Sequence, residues 1–299
     1  MKPIIKWVGG KTQLIDTIFQ QFPLEMNHYH EPFIGGGSIL LELLCRIRNQ
    51  TIKVTGNIYA YDSNESLIFM YQNIQKHPHD VLQHIRLLKN EFDSIQTEKE
   101  QNGNKKIQPA SKEEAMNSKE AYYYWIRLLF NRLEKNSPYS TALFIFLNKT
   151  CFRGLYRVGP NGFNVPYGNN KNPEMINEDH LRNFQQLIHP VIFQVMSFQH
   201  SLESVRENDF VYLDPPYVPE KDTSFVGYTE DGFTREHHLQ LFELTKRLPC
   251  KWIMSNAFTD FITESFPDEE YHIHIINARR AIHSKNPGHK TNEVILSKK

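Results

Sequence analysis

At 299 residues, 39% hydrophobic and 12% aromatic, the chain has the length for one large domain or a domain carrying a second, and the makeup of a folded globular protein rather than a fibrous or disordered one. Lys plus Arg and Asp plus Glu number 34 each, so the zero net charge offers no bulk surplus of cations for a polyanionic partner. The longest apolar run, 142–147, falls far short of the roughly 20 residues that cross a bilayer, and the first residues lack the apolar core of a secretory signal, so an intracellular protein without a membrane span is expected.

Cys45, Cys151 and Cys250 are odd in number and far apart, which indicates neither a disulfide framework nor a zinc site. His237, His238, His272 and His274 have no carboxylate or cysteine partners at ligand spacing, and no metal is expected. The charge distribution is less neutral than its sum. Between 135 and 173 stand Lys135, Lys149, Arg153, Arg157 and Lys171 without an acid, and between 271 and 292 stand Arg279, Arg280, Lys285 and Lys290 without one. Charge alone leaves open whether these zones meet phosphates or only water.

In chain order, a Gly-rich start leads to 29–34, then Gly35, Gly36, Gly37 and Ser38, then the helical periodicity of 39–47, a strand–turn–helix reading. A second strand, 58–61, ends on Asp62, with Ser63 and Asn64 as caps for a helix from Glu65. Helical patterns at 81–92 and 121–133 flank a stretch, 93–119, that turns to Glu, Lys, Gln, Asn and Ser and is expected to be a mobile surface insertion. A Gly-, Asn- and Pro-studded block follows at 151–173. After Glu178 the α/β character returns, with strands at 210–213, 251–254, 271–276 and 293–296. The order predicts an α/β domain, 1–68 and 179–299, interrupted by a mainly helical lobe at 69–178.

The strand 210–213 delivers Asp214, Pro215, Pro216 and Tyr217 to a carboxyl end, where open α/β sheets bind ligands. The prolines fix φ and leave their carbonyls available, so the segment suits a planar amine, although a simple proline turn would carry the same letters. Adenine N6 is such an amine. Its lone pair is delocalised into the ring, and within a duplex the base must be extruded before it can react. Asp214 and the Pro215 carbonyl would accept from the amino group while Tyr217 stacks on the ring, with neither a covalent enzyme intermediate nor a metal required. The glycines at 35–37 permit a tight turn and close approach of a cofactor, and Asp62 lies where an acid would meet ribose hydroxyls. Gly9, Gly10, Lys11 and Thr12 suggest a phosphate loop, but Ile5 stands where its first glycine belongs, and that reading fails. By themselves Trp7 fits a core aromatic and Lys11 a surface cation.

Together these blocks resemble the Dam-like DNA adenine N6-methyltransferases of the α class along nearly the whole chain. The likeness runs through Lys6–Lys11, Glu31–Ser38, Asp62, Gly154 to Arg157, Phe163 to Gly168, Asp214 to Tyr217, Ser255–Asn256 and Arg279–Arg280. It implies a Rossmann-like S-adenosylmethionine-dependent sheet with an inserted, mainly helical target-recognition domain. It further implies that Trp7, Lys11, Glu31, Phe33, Gly35, Gly37, Asp62 and Asp214 contact the methyl donor or frame its pocket, and that Asp214, Pro215, Pro216 and Tyr217 hold the adenine. Double-stranded DNA would be met by Lys6, Phe152, Arg153, Leu155, Arg157, Pro166 and Arg279. Arg157 resembles a guanine-reading arginine, with a phosphate contact as the alternative. Many GATC-specific relatives have Asn where this chain has Arg153, so CATG stands close behind GATC as the expected site. A cognate restriction endonuclease is a possible partner. A catalytically idle DNA-binding regulator, or a methyltransferase for a protein glutamine or an RNA base, would share the fold; Asp214 and the basic hairpin favour DNA.

Overall fold

The structure is a computed structural model that describes residues 1–96, 108–170, 172–218, 232–279 and 290–299, the side chains of 277–279, 290 and 291 excepted. Its contacts divide the chain into a helical unit, Met1–Gly10 with Asn64–His189, and a sheet unit, Lys11–Ser63 with Pro190–Lys299. The expected bounds at 69 and 178 differ from these in assigning residues 1–10, 64–68 and 179–189 to the sheet domain.

After Gly10 come α1 (Ile15–Phe19), β1 (Glu25–Met26), β2 (Tyr29–Glu31), α2 (Ser38–Arg48), β3 (Lys53–Val54) and β4 (Ile58–Asp62). The helical unit then supplies α3 (Glu65–Lys76), α4 (Pro78–Ser94), α5 (Lys112–Ala115), α6 (Lys119–Arg132) and α7 (Pro138–Thr150). It closes with a tight helical turn (Phe152–Gly154), β5 (Val158–Gly159), β6 (Gly162–Phe163) and α8 (Glu178–Ile188). The sheet unit resumes with β7 (Val191–Val195), α9 (Phe198–Glu203), β8 (Phe210–Leu213), α10 (Arg235–Lys246), β9 (Lys251–Ala257), α11 (Asp260–Ser265), β10 (Tyr271–Arg279) and β11 (Lys290–Lys298).

Seven strands form the main sheet in the order β10-β11-β9-β8-β2-β4-β7. The pairs from β9 through β8, β2 and β4 to β7 are parallel, and β11 runs antiparallel to both its neighbours. From β2 the chain builds outward to β4 and β7, then returns to the other side of β2 for β8 and β9. The reversal opens a crevice at the carboxyl ends of β2 and β8, the place where such sheets take ligands. All four residues of β8 are buried, which explains why it reads as an unbroken apolar run rather than an alternating one. Alternate residues of β8, β9 and β11 (Val211, Leu213, Trp252, Met254, Val294, Leu296) pack with Phe198, Leu202, Leu241 and Phe242 of α9 and α10 into one core. Each such large side chain contributes about 1.5–3 kcal/mol by leaving water. At the opposite, amino ends, buried Asp209 accepts from the Asn27 side chain and from the backbone N–H groups of His28 and Arg206, fixing the register of β2 against β8.

In the helical unit α7 packs against α3, α4 and α6. Residues 142–147 are all buried, so the long apolar run is the inner helix of a bundle, apolar on every side. Side-chain caps start the helices where the chain requires them: Asn64 accepts from Leu67 N–H, Ser118 from Ala121 N–H, Asn177 from His180 N–H, and Ser137 with Ser140 forms a reciprocal cap. Of the stretch 93–119, expected to be a mobile surface insertion, the described parts include helical residues at both ends. Helix α4 runs to Ser94, Ser111 caps α5, and α6 begins at Lys119, while 97–107 lie outside the described residues.

Candidate active site

Three adjacent strands end in carboxylates: Glu31 closes β2, Asp62 closes β4, and Asp214 follows β8. Strand β2 stops at Glu31, short of the predicted 29–34, because Pro32 has no N–H for the ladder. The chain turns instead through glycines. Ile34 N–H donates to Tyr61 O at 3.0 Å and Gly37 N–H to Ile34 O at 2.8 Å. Gly35 (φ 47°) and Gly37 (φ 73°) take left-handed backbone that residues with a Cβ avoid. Gly35 N–H donates to Asp62 Oδ2 at 3.1 Å, tying the turn to the next strand's acid. Gly37 caps α2 without any side-chain acceptor, which leaves the first turn's N–H groups to an acceptor from elsewhere. Phe33 is half-buried and stacks on Phe198.

Lys11, expected from its letters alone to be a surface cation, is only 4% exposed, and its Nζ lies 2.7 Å from Asp214 Oδ1. The same ammonium sits 4.7 Å from the centroid of the Tyr217 ring, within cation–π range. Tyr217 donates its hydroxyl to Glu293 Oε2 at 2.6 Å, and the next residue's N–H, Val218, donates to Asn256 Oδ1 at 3.0 Å. Beneath the loop, the Tyr212 hydroxyl and Ser255 Oγ are 2.9 Å apart. The segment 214–217 is therefore held by a side chain on β9, another on β11, and Lys11.

Burial sets the electrostatics. Glu31, 2% exposed, is pushed up to about 8 by desolvation, with the Asp214 charge adding to the shift and the Tyr29 hydroxyl, which donates at 2.7 Å, opposing it. Desolvation also raises the Asp214 carboxyl above its ordinary value; the Lys11 ammonium opposes this and Glu293 adds to it. Tyr217 is held well above the usual phenol range by burial, then by the charges of Asp214 and Glu293, so its hydroxyl remains a donor.

The other expected site residues, Arg279 of β10 apart, belong to the helical unit. Trp7 packs against Tyr156 (centroids 5.2 Å) and edge-on against Phe144 (6.4 Å). Asn148, buried in α7, accepts from Lys6 N–H at 2.9 Å and donates to Lys6 O at 2.8 Å and Gly154 O at 3.2 Å. One side chain thus joins the segment bearing Lys6 and Trp7 to the turn before the hairpin. Phe152, Arg153, Arg157 and Pro166 are exposed and Leu155 is half-buried. Arg153 takes left-handed backbone (φ 57°) and its guanidinium lies over the Phe152 ring. Arg157 donates from Nε to Asn164 Oδ1 at 2.6 Å and from a terminal nitrogen to Asn164 O at 3.3 Å, which fixes the plane of its guanidinium. The Arg279 side chain and Arg280 lie outside the described residues.

Lys11, Asp214 and Tyr217 thus meet in one cluster, with Gly35 and Asp62 joined to one another at the neighbouring strand ends. Sequence reasoning passed over Glu293, Asn148 and Tyr29. A lone acid opening the apolar run 293–296 and an Asn inside the apolar α7 were the available signals. The donor set suits S-adenosylmethionine: Asp214 offers a carboxylate for its positive charge, Asp62 offers one for ribose hydroxyls, and the start of α2, without a side-chain cap, offers N–H groups for its carboxylate.

Residues 7–282 match the family model of the D12 class N6 adenine-specific DNA methyltransferases. Among curated proteins, the type II methyltransferase M.MjaIII of Methanocaldococcus jannaschii is 32% identical over 97% of this chain and 96% of its own. The type II methyltransferase M1.LlaDCHI of Lactococcus lactis is also 32% identical, over 99% and 95%. The DNA adenine methylase of Escherichia coli K12 is 28% identical, over 99% and 94%.

Proposed function

Because the chain belongs to the D12 class of N6 adenine-specific DNA methyltransferases, we propose that it transfers a methyl group from S-adenosylmethionine to N6 of an adenine extruded from duplex DNA, within a short site such as GATC or CATG. The observation that carries this reading is Asp214 at the carboxyl end of β8, at the sheet's reversal point, with the Tyr217 ring fixed three residues on.

The donor, when bound, supplies a methyl on positive sulfur and leaves as a neutral thioether. The protein's part is to place the amine. Asp214 and the Pro215 carbonyl accept the two N6–H bonds, which draws the nitrogen lone pair out of the ring and toward the methyl carbon. Lys11 already engages one Asp214 oxygen, so the amine takes the other or displaces the ammonium. Asp214 takes the surplus N6 proton along the hydrogen bond it already makes to the amine. Glu31, Asp62, Lys11 and the Gly35–Gly37 turn frame the donor, with Phe33 as an apolar wall. Phe152, Arg153, Leu155, Arg157 and Pro166 meet DNA from an inserted target-recognition domain, and Lys6 and Arg279 meet it from outside that insertion. The type II names of two relatives favour pairing with a restriction endonuclease of the same specificity.

The purified protein should move labelled methyl from S-adenosylmethionine onto adenine of unmethylated duplex DNA, and Asp214→Ala should lose transfer while keeping most of its DNA affinity. No adenine label above a no-enzyme control would sink the reading; an active Asp214→Ala would remove Asp214 from its role.

A further inference from the structure

We propose that Glu293 is a positioning residue for methyl transfer: its carboxylate holds the Tyr217 hydroxyl and so sets the plane of the ring against which the adenine is laid. The proposal rests on the reading of Tyr217 as the stacking residue.

The 2.6 Å contact is at the short end for a hydroxyl donating to a carboxylate, the stronger class of hydrogen bond. A tyrosine ring turns about two torsions, and anchoring its backbone end alone leaves it free to swing. Here both ends are fixed. Asn256, fully buried in β9, takes the Val218 N–H one residue beyond the ring, and Glu293 takes the hydroxyl at the far end. Both anchors ride on paired strands, with Glu293 opposite Ala257 in the β11–β9 ladder and β9 beside β8, so the ring inherits the rigidity of the sheet rather than of a loop.

Among the described residues the Tyr217 hydroxyl is the hydrogen-bond donor that meets the Glu293 side chain. Glu293 lies within β11, directly before the buried Val294, Ile295 and Leu296, and among the described residues it makes no ion pair. An acid in that setting needs a donor, and Tyr217 is the donor it has. The hydrogen bond is one-directional, because the raised phenol keeps its proton.

The test compares Glu293→Ala, Glu293→Gln, Tyr217→Phe and the double variant Tyr217→Phe/Glu293→Ala with the unaltered protein. The readouts are kcat, KM for S-adenosylmethionine, Kd for unmethylated duplex DNA, and melting temperature. Removing either partner should lower kcat about ten- to hundredfold, the scale of a misplaced reactant, while KM and Kd stay within about threefold. Glu293→Gln, still an acceptor, should recover most of kcat. The double variant should be no slower than the slower single one, since both singles break one bond. Full kcat in Glu293→Ala, additive losses in the double variant, or equal losses of kcat, DNA affinity and melting temperature would each overturn the proposal. Should Glu293→Ala fail to fold, Tyr217→Phe decides: full kcat there overturns it equally. An unaltered protein that labels no adenine defeats the underlying reading instead, and is told apart because the comparison then has no active reference.

Discussion

Glu31 is a carboxylic acid that keeps its proton in the folded chain up to a pH of about 8, whereas an ordinary glutamate ionises near 4.5. A folded state that binds the extra proton is favoured at low pH, so this contribution to stability is complete below about 4.5 and declines as pH rises through 8. The limiting slope is about 1.4 kcal/mol per pH unit. Urea unfolding of Glu31→Gln, compared with the unaltered protein from pH 5 to 8, should show the unaltered protein losing ground steadily and the variant not; parallel profiles would mean that Glu31 is ionised when buried. Neighbouring Tyr29 is what makes the buried acid tolerable, since its hydroxyl fills one Glu31 oxygen. None of this was legible in the sequence, where Tyr29 reads only as a strand residue; the pairing depends on i, i+2 residues of one strand facing the same side.

At the scale of elements, α7 combines two duties. Its apolar residues fill the helical unit, and Asn148, 3% exposed, uses both ends of its amide to hold Lys6 and Gly154. Asn148→Ala would strand a buried N–H and two carbonyls. The expected cost is about 2–3 kcal/mol, together with weaker binding of DNA, measured by chemical unfolding and by titration of labelled duplex; unchanged DNA affinity would separate the clamp from recognition. The strands at 210–213 and 58–62, the Asn64 cap and the 35–37 turn were legible because apolar runs and special backbone leave local marks. Strand β7 was not singled out, and α5 was hidden in a polar stretch: one depends on pairing with distant β4, the other on a Ser111 cap in a sequence of low hydrophobicity. The cluster of Lys11, Asp214, Tyr217 and Glu293 was half legible. Its first three members lie in recognisable blocks, but Glu293 depends on the antiparallel return of β11, which no local pattern announces.

For the whole molecule, zero net charge and exposed arginines on the hairpin turn make a specific claim about how DNA is met. Few cations are on offer, so affinity should depend on where they stand more than on how many there are. Arg157 separates the two possibilities. If it reads a guanine, Arg157→Ala should lose about 1–3 kcal/mol of discrimination at one position of the site. If it meets a phosphate, binding should weaken evenly across sequences and the slope of log K against log salt should shrink by about one. Titrations of cognate and single-base-altered duplexes at several salt concentrations distinguish these outcomes.

The contact of Lys11 with both Asp214 and the face of Tyr217 also bears on inhibitor chemistry. The crevice is acidic by residue count, which would suggest filling it with amidines or other cations. Yet at Asp214 itself, as distinct from the neighbouring place of the donor's sulfonium, the acceptor is already matched by Lys11, so a cation competing for that carboxylate would have to displace the ammonium. Compounds aimed at this place should be flat and uncharged, offering a neutral N–H to the remaining carboxylate oxygen while leaving the lysine where it is.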